Sequence, residues 1–412
     1  MQLLTGKPCP LSKPSISCDN YPVRLRYLII GATGGVSASA LVGLGLFWHL
    51  KNSQPTNPPD VSTHSLTSET SPLKTATDRK PSSNFEYPLI CSDPYKAICL
   101  RTTSHRDPTG SVHSDVEGEV QALRIVEEII HEHPEWTSEQ VDEELAQIIY
   151  TPKRVGRIQS AFRFVRATIE KTIRAQPTEV FSKKDKRLLV NRINSVQLEL
   201  PPPAALYSDQ PDLFTKNDVF YQQSTNGSRK LRVGGAFVMS IKSWFNLVFT
   251  LAHELGHSID PCELRGIPPE KDSAPAAYKN LTSCFLKQGL VSHHKNRSEC
   301  GENDQLSETF ADWIAVQITA IALKEYATEF HKPLIQAAAM NSVRDLCEQD
   351  DTLNDLDSEF HPSPKVRIEK IFGNSPEIRN VLGCPSLEGS LKYCTLNPET
   401  PERPKDPMEL KK

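Results

Sequence analysis

Neither sign of charge prevails in this chain: 47 Lys and Arg stand against 51 Asp and Glu in 412 residues, a formal net charge of −4. A surface that grips nucleic acid needs a basic field, so nothing here supports a nucleic-acid partner. Glycine is scarce beside proline, 19 against 32, which suits extended linkers better than tight hairpins. Internal repeats are missing, so a solenoid is not expected. Long uncharged runs are missing as well, with one exception near the N-terminus.

That exception runs from Tyr27 to Trp48, 22 residues without a charge. At about 1.5 Å per helical residue it spans the roughly 30 Å hydrocarbon core of a bilayer. Lys7, Lys13, Arg24 and Arg26 outweigh Asp19 before the run, and only Lys51 follows closely. The positive-inside bias therefore keeps residues 1–26 cytoplasmic and makes residues 27–50 one transmembrane signal anchor. Ala38-Ser39-Ala40 has the form of a cleavage site, but the leader is long and the apolar run continues to Phe47, which favours an uncleaved anchor. The expected localisation is a single-pass type II membrane protein with its main domain extracellular or periplasmic. Residues 51–85 are rich in Pro, Ser and Thr and poor in large apolar side chains; they form a disordered linker. Residues 86–412 form the folded domain.

Cys9 and Cys18 precede the anchor, leaving Cys91, Cys99, Cys262, Cys284, Cys300, Cys347, Cys384 and Cys394 beyond it. An even set in an oxidising compartment is expected to form disulfides. Asn226, Asn280 and Asn296 begin sequons, which permit glycosylation. Apolar residues recur at three and four from Val116 to about Asn194, predicting core-facing helices. Past Pro201 to Pro203, VFYQQ and RKLRVGGAFVM flank Asn226-Gly227 and predict a small sheet with a turn. Helices return beyond Ser243, interrupted by a loop from Pro261 to Asp304. The fold class expected is mainly α, α+β, with a small β-sheet.

The chemistry sits after the apolar run WFNLVFTLA, in His253-Glu254-Leu255-Gly256-His257. On a helix, residues four apart share a face, so both imidazoles can meet one Zn²⁺ with Glu254 beside the open position. A second helix supplies Glu308 and Asp312, again four apart, within an apolar-periodic stretch. Desolvated carboxylates on such a helix need partners, and a zinc site provides them. The expected roles are His253, His257 and Glu308 as metal ligands of one Zn²⁺ per chain, with Glu254 as general base and Asp312 accepting from a ligand histidine, by preference His253. His131 and His133 are two apart and do not share a helix face; His293 and His294 have no acidic partner at helical spacing. A metzincin pattern fails because Asp260 and Glu263 stand where glycine and histidine are needed.

These residues resemble the neprilysin family, the endothelin-converting-enzyme-like zinc endopeptidases. HELGHSID is similar to that family's HExxHxFD segment and ETFAD to its ExxAD segment. Cys91-SDPYKAI-Cys99 resembles its opening cysteine pair, His361-PSPKV-Arg367-Ile its H-x5-R-V/I segment, and Asp218-Val219-Phe220-Tyr221 its substrate strand. The resemblance implies a thermolysin-like gluzincin catalytic lobe and peptide substrates with a hydrophobic residue just after the cut bond. It implies that His361 stabilises the oxyanion and Arg367 holds a peptide carbonyl. It also implies that Asp218 and Val219 meet the substrate, with Asn217 competing for the role of Asp218. Cys91–Cys384, Cys99–Cys347 and Cys284–Cys394 are the disulfides it implies, leaving Cys262 and Cys300 to pair. Family members are longer and carry a large second lobe. Here only the block from Val116 to Tyr150 serves that purpose, which implies a more open cleft.

The function expected is therefore a zinc metalloendopeptidase. The alternative is a catalytically inactive, membrane-anchored binding protein on a metallopeptidase scaffold. A complete HExxH with its glutamate argues against that alternative, since a structural metal needs no base.

Overall fold

A computed structural model describes residues 89–100, 114–202, 211–224, 226–240, 243–265, 274–291, 305–328, 332–347, 361–387 and 393–396. All lie within the unit Tyr87–Lys412. The expected anchor and linker, the sequon at Asn296, His293, His294 and Cys300 lie outside the described residues. Among the described residues, one helix is long and apolar enough to cross a membrane. It is Gln305–Ala327, with 72% of its most apolar stretch buried inside the protein, so it is a core helix.

Helices dominate. After two short turns, Leu89–Ser92 and Lys96–Leu100, come four long helices, α1 (Ser114–Glu132), α2 (Ser138–Ile149), α3 (Pro152–Ala175) and α4 (Lys183–Ser195). Their starts are written in the sequence. Thr137 and Ser182 each close a capping box, with Gln140 and Asp185, and Thr151 caps a helix that opens on Pro152. The apolar stripe of α3, from Ile158 through Phe162 and Val165 to Ile173, is buried as its periodicity predicts.

The small sheet is real but differs in detail. Strands β1 (Val196–Glu199), β2 (Val219–Gln223) and β3 (Arg229–Val233) lie in the order β1-β3-β2, with β1 parallel and β2 antiparallel to β3. Gly227 turns the hairpin at φ 82°. The expected strand does not continue through GGAFVM: residues Gly235–Ser240 form helix α5. A Cβ on Gly234 would stand 2.2 Å from the Lys216 carbonyl oxygen and one on Gly235 2.3 Å from that of Phe214. The two glycines thus let the chain fold back against the preceding segment. Strand β1 has no counterpart in the expectations, because four residues at the end of a helical stretch become a strand only when a distant parallel partner arrives.

Helix α6 (Trp244–His257), capped by Ser243, runs through the middle of the core and packs against α3, β2 and two later helices, α8 (Gln305–Ala327) and α9 (Lys332–Ser342). Gly256 permits the close crossing of α6 and α8, since a Cβ there would lie 3.1 Å from Ala311 Cα. The region from Pro261 to Asp304, expected to be loop, contains a short helix Pro261–Arg265 and helix α7 (Ala276–Lys287), whose Leu281 and Phe285 are buried. A π-helical turn, Val366–Phe372, and helix α10 (Pro376–Leu382) complete the described core.

Three disulfides between described residues hold it: Cys91–Cys384, Cys99–Cys347 and Cys284–Cys394. Cys262 is disulfide-bonded as well. The first two close loops with sequence separations of 293 and 248 residues, tying the start of the domain to its end. Replacing Cys99 and Cys347 together by alanine should lower unfolding free energy by about 3–5 kcal/mol, read from urea titration under oxidising conditions.

Candidate metal centre

The crossing of α6 and α8 brings both four-residue spacings to one place. His253 Nε2 and His257 Nε2 are 3.3 Å apart, and Glu308 Oε2 stands 3.1 Å from the first and 3.6 Å from the second. Ligands at the corners of a tetrahedron around Zn²⁺ at about 2.0–2.1 Å are separated by about 3.3 Å. The three edges match that figure.

The hydrogen bonds at the far ring nitrogens show how these atoms could hold a cation between them. His253 Nδ1 is 2.9 Å from Asp312 Oδ1, and His257 Nδ1 is 3.0 Å from Ser307 Oγ. A neutral ring that donates through Nδ1 presents a lone pair at Nε2, so two lone pairs and a carboxylate face one point. Glu308 Oε2 is buried without a hydrogen bond of acceptable geometry, although ring nitrogens lie near. Such an orphaned oxygen is what a metal would satisfy. Two overlapping groups, His253 with Glu254 and His257, and His253 with Glu308 and His361, have ligand atoms within 4.8 Å of one another and could hold a metal ion.

The surrounding shell is built from both helices and beyond. Burial alone would lower the pKa of His253, yet the Asp312 carboxylate at Nδ1 and the Glu308 carboxylate near Nε2 push it up to about 10. Burial would raise Asp312, but the Arg367 guanidinium and His253 bring it down to about 2. Burial also opposes ionisation of Glu308, and the histidines around it overcome that and hold it far below the usual carboxylate range. Arg367 donates Nε–H to Asp312 Oδ2 at 2.7 Å and Nη2–H to Oδ1 at 2.8 Å. Both side chains are almost completely enclosed.

Glu254 lies on the same face, its Oε1 3.9 Å from His253 Nε2, and accepts the Tyr221 backbone N–H through Oε2 at 2.8 Å. Desolvation raises its pKa. His361 Nε2 is 3.0 Å from Glu308 Oε2, with its side chain about one third exposed. Val219 is buried at the start of β2. Asp218 lies at the surface among crowded neighbours; desolvation raises its pKa, against the nearby charges of Lys216, His253 and His361. Asn217 is engaged elsewhere, accepting from Ser240 Oγ at 2.9 Å.

Three supporting residues escaped sequence reasoning. Ser307 bridges His257 to Asp260, donating to Asp260 Oδ2 at 2.7 Å. Asp260 Oδ1 meanwhile accepts the backbone N–H groups of Cys262 at 2.6 Å and Glu263 at 2.7 Å. Their positions, beside Glu308 and three residues after His257, were the available signal. Tyr221 acts through its backbone, which carries no sequence signal. His133 stacks on Trp136 with ring centroids 3.8 Å apart, away from this site.

The chain matches no protein-family model, no curated protein and no solved structure.

Proposed function

We propose that this chain is a zinc-dependent endopeptidase with a thermolysin-like catalytic lobe, anchored in a membrane by residues 27–50 with its active site outside the cytoplasm. The observation that carries the proposal is the triangle of His253 Nε2, His257 Nε2 and Glu308 Oε2 with Glu254 beside it. The donor set of two imidazoles and a carboxylate suits zinc, and three protein ligands with a neighbouring base are the pattern of a catalytic site. When bound, zinc would lower the pKa of a water and polarise a carbonyl.

The residues of the chain do the rest. Glu254, held at one oxygen by Tyr221 N–H, takes the water's proton and delivers it to the leaving amine. Asp312 and Ser307 fix the ring orientations of His253 and His257. Arg367 keeps Asp312 ionised; this orienting role has direct geometric support, whereas contact with a peptide carbonyl rests on the resemblance. His361 donates toward the developing oxyanion.

The peptide docks on the edge of the sheet. Asp218 O accepts from Gly234 N and Ser224 N donates to Ser228 O, so the even-numbered residues of β2 face β3. In an antiparallel ladder the alternate residues, Val219, Tyr221 and Gln223, then turn their backbone groups to the other edge, where the Tyr221 N–H is already held by Glu254. An extended substrate adds there as a further strand.

Expected zinc content separates this reading from its competitor. A second reading, a closed structural site in a binding protein, has one observation behind it: His361 Nε2 lies within reach of the ligand set. Glu308→Ala should lose stoichiometric zinc on either reading. His361→Ala should keep zinc and lose about 10²–10³-fold in kcat if the residue serves the oxyanion. Loss of zinc from His361→Ala, with no cleavage by the wild-type chain, would favour the binding protein.

A further inference from the structure

The polar cluster beyond Glu254 on the same edge strand is not used by the chemistry above. Tyr221 and Gln223 sit on one face of β2, and across from them lie Arg192 on α4 and Glu263 on the short helix Pro261–Arg265. Arg192 Nη1–H donates to Glu263 Oε1 at 3.2 Å and Tyr221 O–H donates to the same oxygen at 3.3 Å. Gln223 Oε1 lies 3.4 Å from both donors. Every hydrogen bond of Glu263's carboxylate thus falls on Oε1; among the described residues Oε2 has none. The side chain of Glu263 is 22% exposed, whereas that of Arg192 is 7% exposed. The arginine is a buried backing, and the carboxylate is the part that a visitor meets.

Resting on the peptidase reading, we propose that Glu263 selects a basic side chain, Lys or Arg, on one substrate residue within about three positions on the amino side of the scissile bond. The placement follows from the strand. A peptide added antiparallel to β2 runs its amino-terminal part toward Gln223, since Glu254 marks the level of Tyr221. Side chains directly opposite in an antiparallel pair share a face, so the substrate residue opposite Gln223 points to the face of Tyr221, Gln223 and Glu263. That wall offers acceptors, Glu263 Oε2 and Gln223 Oε1. Burial keeps the pKa of Glu263 raised despite Arg192, so its charge is incompletely compensated and gains from a second cation. Arg229, the other nearby cation, is directed to Ser195 Oγ at 3.1 Å.

The test uses the full-length chain loaded with zinc and a peptide series differing only at that residue: lysine, norleucine or glutamate. Cleavage is followed by mass spectrometry, and binding by anisotropy of the same labelled peptides on Glu254→Gln. Lysine should exceed norleucine about tenfold in both assays, and glutamate should be the poorest. Glu263→Gln should bring the lysine-to-norleucine ratio near one while leaving the rate on norleucine within about twofold. Gln223→Glu, which keeps Glu263 and adds a second carboxylate to the same wall, should raise the ratio and guards against misfolding of Glu263→Gln. A lysine-to-norleucine ratio of one in the wild type, or a preference unchanged in Glu263→Gln, overturns the proposal. Glu263-dependent binding of the lysine peptide without any cleavage upholds the selectivity and refutes the peptidase reading instead; absence of both refutes the two together.

Discussion

Glu254→Gln should reduce kcat by about three orders of magnitude or more while the protein keeps its zinc and its fold. The amide has almost the same shape as the carboxylate and can still meet Tyr221 N–H, so packing is preserved. What disappears is the capacity to accept a proton from water and return it to nitrogen. Glu254 is buried, and desolvation raises its pKa, which places its basicity nearer to the working range of a proton shuttle. Zinc measured by atomic absorption should remain at one per chain, because Glu254 lies beyond the triangle of ligand atoms. Undiminished peptide cleavage by Glu254→Gln would falsify the proposed mechanism, even with the metal in place.

Arg367→Ala should be the most damaging single change to stability, lowering it by about 3–5 kcal/mol in thermal or urea unfolding. The guanidinium makes a two-pronged contact with Asp312, and both side chains are almost free of solvent. Its removal leaves a buried carboxylate whose described side-chain partner is His253 alone. Arg367→Lys should recover only part of the loss, since an ammonium cannot present two parallel donors to one carboxylate. If Arg367→Ala unfolds at the wild-type midpoint, the ion pair is not what holds Asp312 in place. Zinc affinity should fall in parallel, because Asp312 orients a proposed ligand.

Much of the candidate site was legible in the chain because helical spacing is a local property. A spacing of four from His253 to His257, and again from Glu308 to Asp312, places each pair on one face whatever the rest of the protein does. The caps at Thr137, Thr151, Ser182 and Ser243 were equally local. The bend at Gly234 and Gly235 was less so, since its cause is the carbonyls of Phe214 and Lys216 in a segment well before it. Helix α7 within the expected loop also needed its neighbours, for its buried face has meaning only against them.

What the amino-acid order determined by itself was the inventory: which side chains share a helix face, where helices begin, and which groups are able to bind a metal. The tertiary structure alone decided that α6 crosses α8 closely enough for three candidate ligand atoms to converge. It also placed Ser307 between His257 and Asp260, and set Glu263 beside the open edge of β2. The reason is one of range. Backbone hydrogen bonding and side-chain periodicity act over a few residues, whereas these meetings join positions 40 to 60 residues apart, brought together only when the apolar faces of separate helices are buried against one another.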